Sequence, residues 1–300
     1  MKKQQSFTLI EILLAIIIVG ILSGFVILRS SESTTTAELA KAKAFNLSLL
    51  TSLPAHFVSQ WKFDGPNSSG VATANEVKDT WGPNDGTVNG SPTIYTGTNC
   101  ISGNCLSFNG STDYINCGTN ASLDIVGPIT ISAWVKTSNT IRQAVFSNTG
   151  AGPSYPGFAF GVGFDELGAP SSGQVAFFTE SGLYKIANKT VNNDKWRNIV
   201  ATNDNTNTSF YIDGTLSRKV AQGAATTNTG GNKYIGMILS THYYSGLLDE
   251  ITIYNDSLSI SKIQENYYAD LNKGLKNRNI AFNEYIQRIG ELQLNLTKNE

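Results

Sequence analysis

Glu11 is the first residue of this chain whose chemistry needs explaining. It follows Phe7-Thr8-Leu9-Ile10 and precedes a stretch, Ile12 to Leu28, that holds no charged residue. An ionised carboxylate at the centre of a bilayer costs about 2.5–3.5 kcal/mol, so one at the head of an apolar run has a partner or a use. Elsewhere the acid–base groups are sparse. Asp165-Glu166 lies beside Gly and Pro, and Asp249-Glu250 in a strand is expected to alternate to opposite faces, so neither forms a catalytic pair. His56 and His242 are the only histidines, with no H-E-x-x-H, G-x-S-x-G or E-x-D-x-x-E string. Metalloprotease, serine-hydrolase and glycosidase chemistry therefore lack their parts, and the chain is expected not to be an enzyme. A surface glycosidase is the catalytic alternative.

The three cysteines, Cys100, Cys105 and Cys117, have no zinc spacing and are too few for a disulfide scaffold. Outside the cytoplasm Cys100 and Cys105 would close a small loop around Ser102-Gly103, leaving Cys117 buried in a strand; the alternative is three free thiols. The balance of Lys+Arg 22 against Asp+Glu 23 gives a net charge of −1. No broad field exists to hold nucleic acid, which is excluded as an expected partner.

The elements that position these groups change character along the chain. Phe7 to Leu28 as a helix would be about 33 Å long, enough to cross a bilayer. Lys2 and Lys3 before it keep the N-terminus in the cytoplasm and send everything after Arg29 outside. The segment up to Pro54, with Leu39, Lys43, Leu47, Leu50 and Leu53 near helical spacing, reads as an amphipathic stalk. From His56 the pattern becomes alternating runs such as TISAWVKT, QVAFFTES and SFYIDGTL between Gly, Asn and Asp clusters, which predicts an antiparallel sandwich. Asp213-Gly214 is its strongest hairpin signal. Trp61, Trp134 and Trp196 sit in apolar runs and are expected in the core, while Tyr155, Tyr243 and Tyr244 near turns are candidate ligand-binding aromatics. Ser261 and Gln264 have capping-box spacing before a short helix, and Ile286, Ile289 and Leu292 mark another amphipathic turn or two.

The leader with Lys2 and Lys3, Ser6, then Phe7-Thr8-Leu9-Ile10-Glu11 and the apolar run, resembles the type IV pilin family, pseudopilins included. The resemblance implies a prepilin-type leader over 1–6, cleavage between Ser6 and Phe7 by a prepilin peptidase, and a helix and stalk over 7–54. Ser6 stands where the family usually has Gly. It also implies assembly with other pilin subunits and the pilus machinery, with Glu11 neutralising the free amine of a neighbouring Phe7. An ordinary secretory signal would need small residues at a cut after the apolar core, and GFVILRSSES supplies no clear site. Neither it nor a plain anchor gives Glu11 a task.

The runs WKFDG, CLSFNGSTDYINCG, ITISAWVKT, KWRNIVATND, FYIDGTL and YSGLLDEITIYNDSLSISKIQ resemble the laminin-G-like, concanavalin-like jelly-roll family. That implies a mainly β fold, a jelly-roll domain over 55–268 with a helical tail over 269–300. It implies a glycan or protein ligand outside the cell. Relatives often hold calcium between the first strand region and a carboxylate of the last strand, which maps onto Asp64 and Asp249, with the turn around Asp79 and Asp85 as a further contributor. The expected protein is a membrane-anchored or filament-borne surface adhesin; the alternative is a minor pilin or pseudopilin of a secretion or DNA-uptake machine.

Overall fold

The computed structural model describes residues 56–297 apart from 68, 75, 150–155, 165–172, 180–183 and 227–228. Ser6, Phe7, Glu11, Tyr155, Asp165 and Glu166 lie outside the described residues. Two antiparallel sheets face each other. The first runs Thr215–Ala221, Asn207–Ile212, Arg197–Asn203, Ile129–Lys136, Ser245–Tyr254, Asn104–Asn109, Thr93–Thr96 and Gly70–Val71, with Phe57–Trp61 also pairing on Ser245–Tyr254. The second runs Tyr184–Thr190, Gln174–Phe178, Gly157–Val162, Gln143–Thr149, Tyr234–Ile235, Tyr114–Asn116 and Thr87–Asn89. This is the expected jelly-roll sandwich.

Alternation builds the core. Ile131, Ala133 and Val135 from one sheet and Phe146, Phe160 and Phe177 from the other turn inward into a single buried cluster. Period-two alternation places every second side chain on one face, so the register is fixed by which face is apolar. The Asp213-Gly214 turn has φ 51° and 72°, the pair of positive values that a two-residue hairpin turn requires, and it joins Asn207–Ile212 to Thr215–Ala221.

The outer face of the first sheet is also covered. Helix α1, Ile260–Lys276, buries Ile263, Tyr267, Leu271 and Gly274 along one helical stripe. Helix α2, Phe282–Thr297, follows after a short turn. Together they pack Tyr267, Leu271, Ile280, Tyr285, Ile289 and Leu292 over Trp134, Trp196, Ile101 and the Cys100–Cys105 pair. Helix α1 runs across residue 268, and the C-terminal segment packs on the outer face of the first sheet. Two local expectations are corrected. The cap of α1 is Ser259, whose side chain accepts the Lys262 N–H, because Ser261 already lies inside the helix. On α2 the buried stripe is Tyr285, Ile289 and Leu292, with Ile286 turned to solvent. Among the described residues no helix is long and apolar enough to cross a membrane.

Candidate ligand surface and charged cluster

Ile115 and Ile235 point into the sandwich, so the preceding Tyr114 and Tyr234, one residue away in each strand, point outward. Their rings meet edge to face at 5.8 Å. The small hairpin Met237–Ile238/His242–Tyr243 brings Tyr243 onto the same pair, 6.3 Å from Tyr114. The three half-buried rings form one aromatic ledge. Tyr244 does not join it: the next residue in the chain is fully buried, sits edge-on to Phe108 at 6.2 Å, and donates its hydroxyl to the Leu247 carbonyl. A single step along a pleated strand reverses the face, which is why Tyr243 and Tyr244 cannot share a surface. Trp61, Trp134 and Trp196 are buried as expected, but Trp81 is 52% exposed and packs on Phe57 at 4.8 Å.

The second constellation lies between the first sheet and α1. Asp64, Asp249 and Glu250 converge there, from positions separated by nearly two hundred residues. In Ser245–Tyr254 the register shifts between Asp249 and Thr252, and Glu250 takes φ 46°. This bulge overturns the expected alternation and brings both carboxylates to one cluster. Lys273 of α1 places its Nζ 3.0 Å from Asp64 Oδ2 and in contact with Glu250 Oε1. Three further oxygens are taken by the chain itself. Asp64 Oδ1 accepts the Asn104 N–H at 2.8 Å, and Asp249 accepts the N–H groups of Ser102 at 3.2 Å and Glu250 at 2.8 Å.

The loop that donates to these carboxylates is the one closed by the disulfide. Cys100 and Cys105 are bonded, and Cys117 is a free, buried cysteine. Gly103 has φ 62°, and a Cβ there would fall 1.9 Å from Asp64 Oδ1, so only glycine lets the loop approach. Asn279, between the helices, accepts the Gly103 N–H and donates to the carbonyls of Gly97 and Gly103. Gly274 brings α1 equally close, since a Cβ there would meet the Ile101 carbonyl at 2.3 Å.

Burial pushes Asp249 well above the usual carboxylate range, and the neighbouring Glu250 adds to it. Burial also pushes Glu250 up, against the pull of Lys273. For Lys273 burial disfavours the ammonium, but the Glu250 and Asp64 carboxylates outweigh it and hold the group above its ordinary value. Asp270, which accepts the Trp134 indole N–H at 2.7 Å, is raised by burial and by Glu250 to about 7.

This donor set does not fit calcium. The ion takes six to eight oxygens, whereas here an ammonium faces Asp64 and Glu250 and backbone N–H groups occupy Asp249. Among the described residues no group of three or more His, Cys, Asp or Glu is placed to hold a metal ion. Asp79 and Asp85 organise their own turn: Asp79 accepts from the N–H groups of Gln60, Trp81, Gly82 and Asn84, and Asp85 pairs with Lys78.

Two known families match parts of the chain. The prokaryotic N-terminal methylation motif matches residues 1–27. The family of concanavalin A-like lectins and glucanases matches residues 109–264, just over half of the sequence. The chain belongs to the concanavalin A-like lectin/glucanases superfamily. This superfamily member is similar in structure to domain 4 of a GH43 extracellular arabinanase from Geobacillus stearothermophilus, solved with arabinotriose. The identity is 17% and the TM-score 0.54, covering 70% of this chain and 97% of that domain. It is also similar to the receptor binding domain of a botulinum neurotoxin mosaic serotype C/D, at 15% identity and TM-score 0.51, where the match covers 73% of this chain and 52% of the toxin domain. At such identities the likeness establishes the fold alone. No curated protein matches the chain by sequence.

Proposed function

We propose that this protein is displayed outside the cell by its pilin-type N-terminus and binds extracellular glycan through its lectin-type domain. The observation that carries the reading is the union, in one chain, of a methylation motif at residues 1–27 and a lectin-type sandwich with an outward aromatic ledge at Tyr114, Tyr234 and Tyr243. Aromatic faces stack on sugar rings, and tyrosine adds a hydroxyl that can bond a sugar oxygen. A prepilin peptidase would cut between Ser6 and Phe7. The helix then waits in the membrane as a single-pass anchor until other pilin subunits and the assembly machinery draw it into a filament.

The similar arabinanase domain was solved with arabinotriose, which makes arabino-oligosaccharides the first probes to try. Binding of the full chain in detergent to a glycan array tests the reading. Tyr234→Ala and Tyr243→Ala should each weaken the hit about tenfold, or ~1.4 kcal/mol, while Trp81→Ala leaves it unchanged. A wild-type chain that retains no glycan, or tyrosine variants that bind like wild type, would reject the ledge.

The methylation motif itself favours a second reading, a minor pilin or pseudopilin that acts as a structural part. Co-assembly with a major pilin in the absence of any glycan or protein ligand would select it. A glycosidase reading has no support at Asp249-Glu250, because both carboxylates are buried beneath α1 and cannot reach a substrate.

A further inference from the structure

We infer that the tyrosine ledge reads the end of a neutral glycan, seating one sugar unit, and does not measure the length of a chain. The inference rests on the glycan reading above and narrows it to a ligand class.

The tilt of the rings is the first observation. Tyr114 is turned 75° from Tyr234 and 55° from Tyr243, with centroids 5.8 Å and 6.3 Å away. A glycan chain lying along a surface stacks its units on rings that share one plane. Tyr114 and Tyr234 are rooted side by side in neighbouring strands, so neither lies beneath the other. With Tyr114 as the floor, Tyr234 and Tyr243 rise beside it as walls; with either of those as the floor, Tyr114 is the wall. Both arrangements make a corner that receives one sugar ring and turns the next unit away into water.

The second observation is what stands opposite the rings. Val88 and Ile115 pack toward the core, so Thr87 and Asn89 share the outer face with Tyr114 and Asn116. The register sets Asn89 opposite Tyr114, and Asn116 opposite Tyr234, within the reach of cross-strand neighbours. Asn89 donates its amide N–H to the Thr87 carbonyl at 3.0 Å, and Asn116 Oδ1 accepts the Gly118 N–H at 2.9 Å. Among the described residues Asn89 Oδ1 is left as an acceptor and Asn116 Nδ2 as a donor, each beside a tyrosine. A sugar hydroxyl both donates and accepts, so one unit in the corner can use both amides. The outward positions Thr87, Asn89, Tyr114, Asn116 and Tyr234 hold no charged side chain. A sugar bearing a carboxylate or sulfate finds no cation there to pair with, and a neutral unit needs none.

An array that carries each linear glycan at lengths from one to six units, with neutral and with acidic ends, tests this on the full chain in detergent. The signal for a bound series should change less than about threefold with length, because added units bury no further apolar surface. Acidic ends should bind at least about tenfold more weakly than neutral ones. Asn89→Ala and Asn116→Ala should each weaken the hit about threefold to tenfold while melting like wild type. A signal that climbs tenfold or more from two units to six would overturn the inference and leave the glycan reading standing. So would preference for acidic ends, or asparagine variants that both melt and bind like wild type. An array on which no glycan is retained would overturn the glycan reading and this inference with it.

Discussion

The indole N–H of Trp134, at the centre of the first sheet, donates to Asp270 Oδ2 of α1 at 2.7 Å. The same indole stacks on Tyr267 at 5.5 Å, and the Arg288 guanidinium of α2 lies over its ring at 5.6 Å. One tryptophan on the outer face of a sheet therefore holds both helices of the hairpin, through three different kinds of contact.

Asp270 makes the hairpin pH-sensitive. Its pKa rises from an ordinary 3.8 to about 7 on folding, through burial and then Glu250. The unfolded chain therefore releases this proton at lower pH than the folded one. The stabilisation is complete below pH about 4 and is lost progressively as pH rises to about 7, at ~1.4 kcal/mol per unit of difference. Asp270→Asn resembles the protonated acid and keeps an oxygen for Trp134. It should flatten this part of the stability–pH profile and raise stability above pH 7; urea unfolding from pH 4 to 8 measures it.

Lys233 is fully buried, with its Nζ 2.6 Å from Asp124 Oδ1. Removing one partner of a buried ion pair strands the other charge, at about 3–5 kcal/mol. Lys233→Ala should lower the unfolding free energy by that order, and Lys233→Met with Asp124→Leu together should cost less than either change alone. Urea midpoints of Lys233→Ala, of Lys233→Met and Asp124→Leu singly, and of the double variant decide whether the charges are coupled.

Reduction of Cys100–Cys105 releases a loop of only a few residues, worth about 2 kcal/mol by chain entropy. The loop also supplies N–H groups to Asp64 and Asp249. Cys105→Ser should therefore cost more than the entropic figure, and Asn279→Ala in the same background should add less than it does in wild type. A double-mutant cycle on thermal melts reads this coupling.

A chain ending at residue 268 would lose Leu271, Ile280, Tyr285, Ile289 and Leu292, which are buried against Trp134 and Trp196. Each such side chain contributes about 1.5–3 kcal/mol by burial, and a whole domain is stable by only about 5–15 kcal/mol. Truncation there should abolish cooperative unfolding, seen as a lost transition in tryptophan fluorescence. A cooperative melt near that of wild type would show that the hairpin is an appendage.

Glu11→Ala should leave membrane insertion intact, since it makes the span more apolar. If Glu11 neutralises the Phe7 amine of a neighbouring subunit, its loss strands that amine, at a cost of about 3–5 kcal/mol, and assembly fails. Fractionation into membrane and sheared-surface material separates the outcomes. Alanine variant in the sheared fraction at wild-type amounts would remove the assembly role.

Much of this architecture is written in local sequence. Alternation in ITISAWVKT and SFYIDGTL determines which faces are apolar, and Asp213-Gly214 determines a turn, because both signals act between residues a few positions apart. The short spacing of Cys100 and Cys105, and the run Phe7 to Glu11 before an uncharged stretch, are legible for the same reason. Tertiary structure decided what depends on distant partners. Tyr243 and Tyr244 read alike as neighbours near a turn, and only the placement of their hairpin over the second sheet exposes one to solvent and buries the other. The Glu250 bulge breaks a pattern that the sequence carries unbroken. Lys273 lies 209 residues from Asp64, and nothing local marks it among the chain's other lysines. Its role is created when Trp134 and the Ile101 carbonyl set the height of α1, because a charge is useful only where the docked helix delivers it.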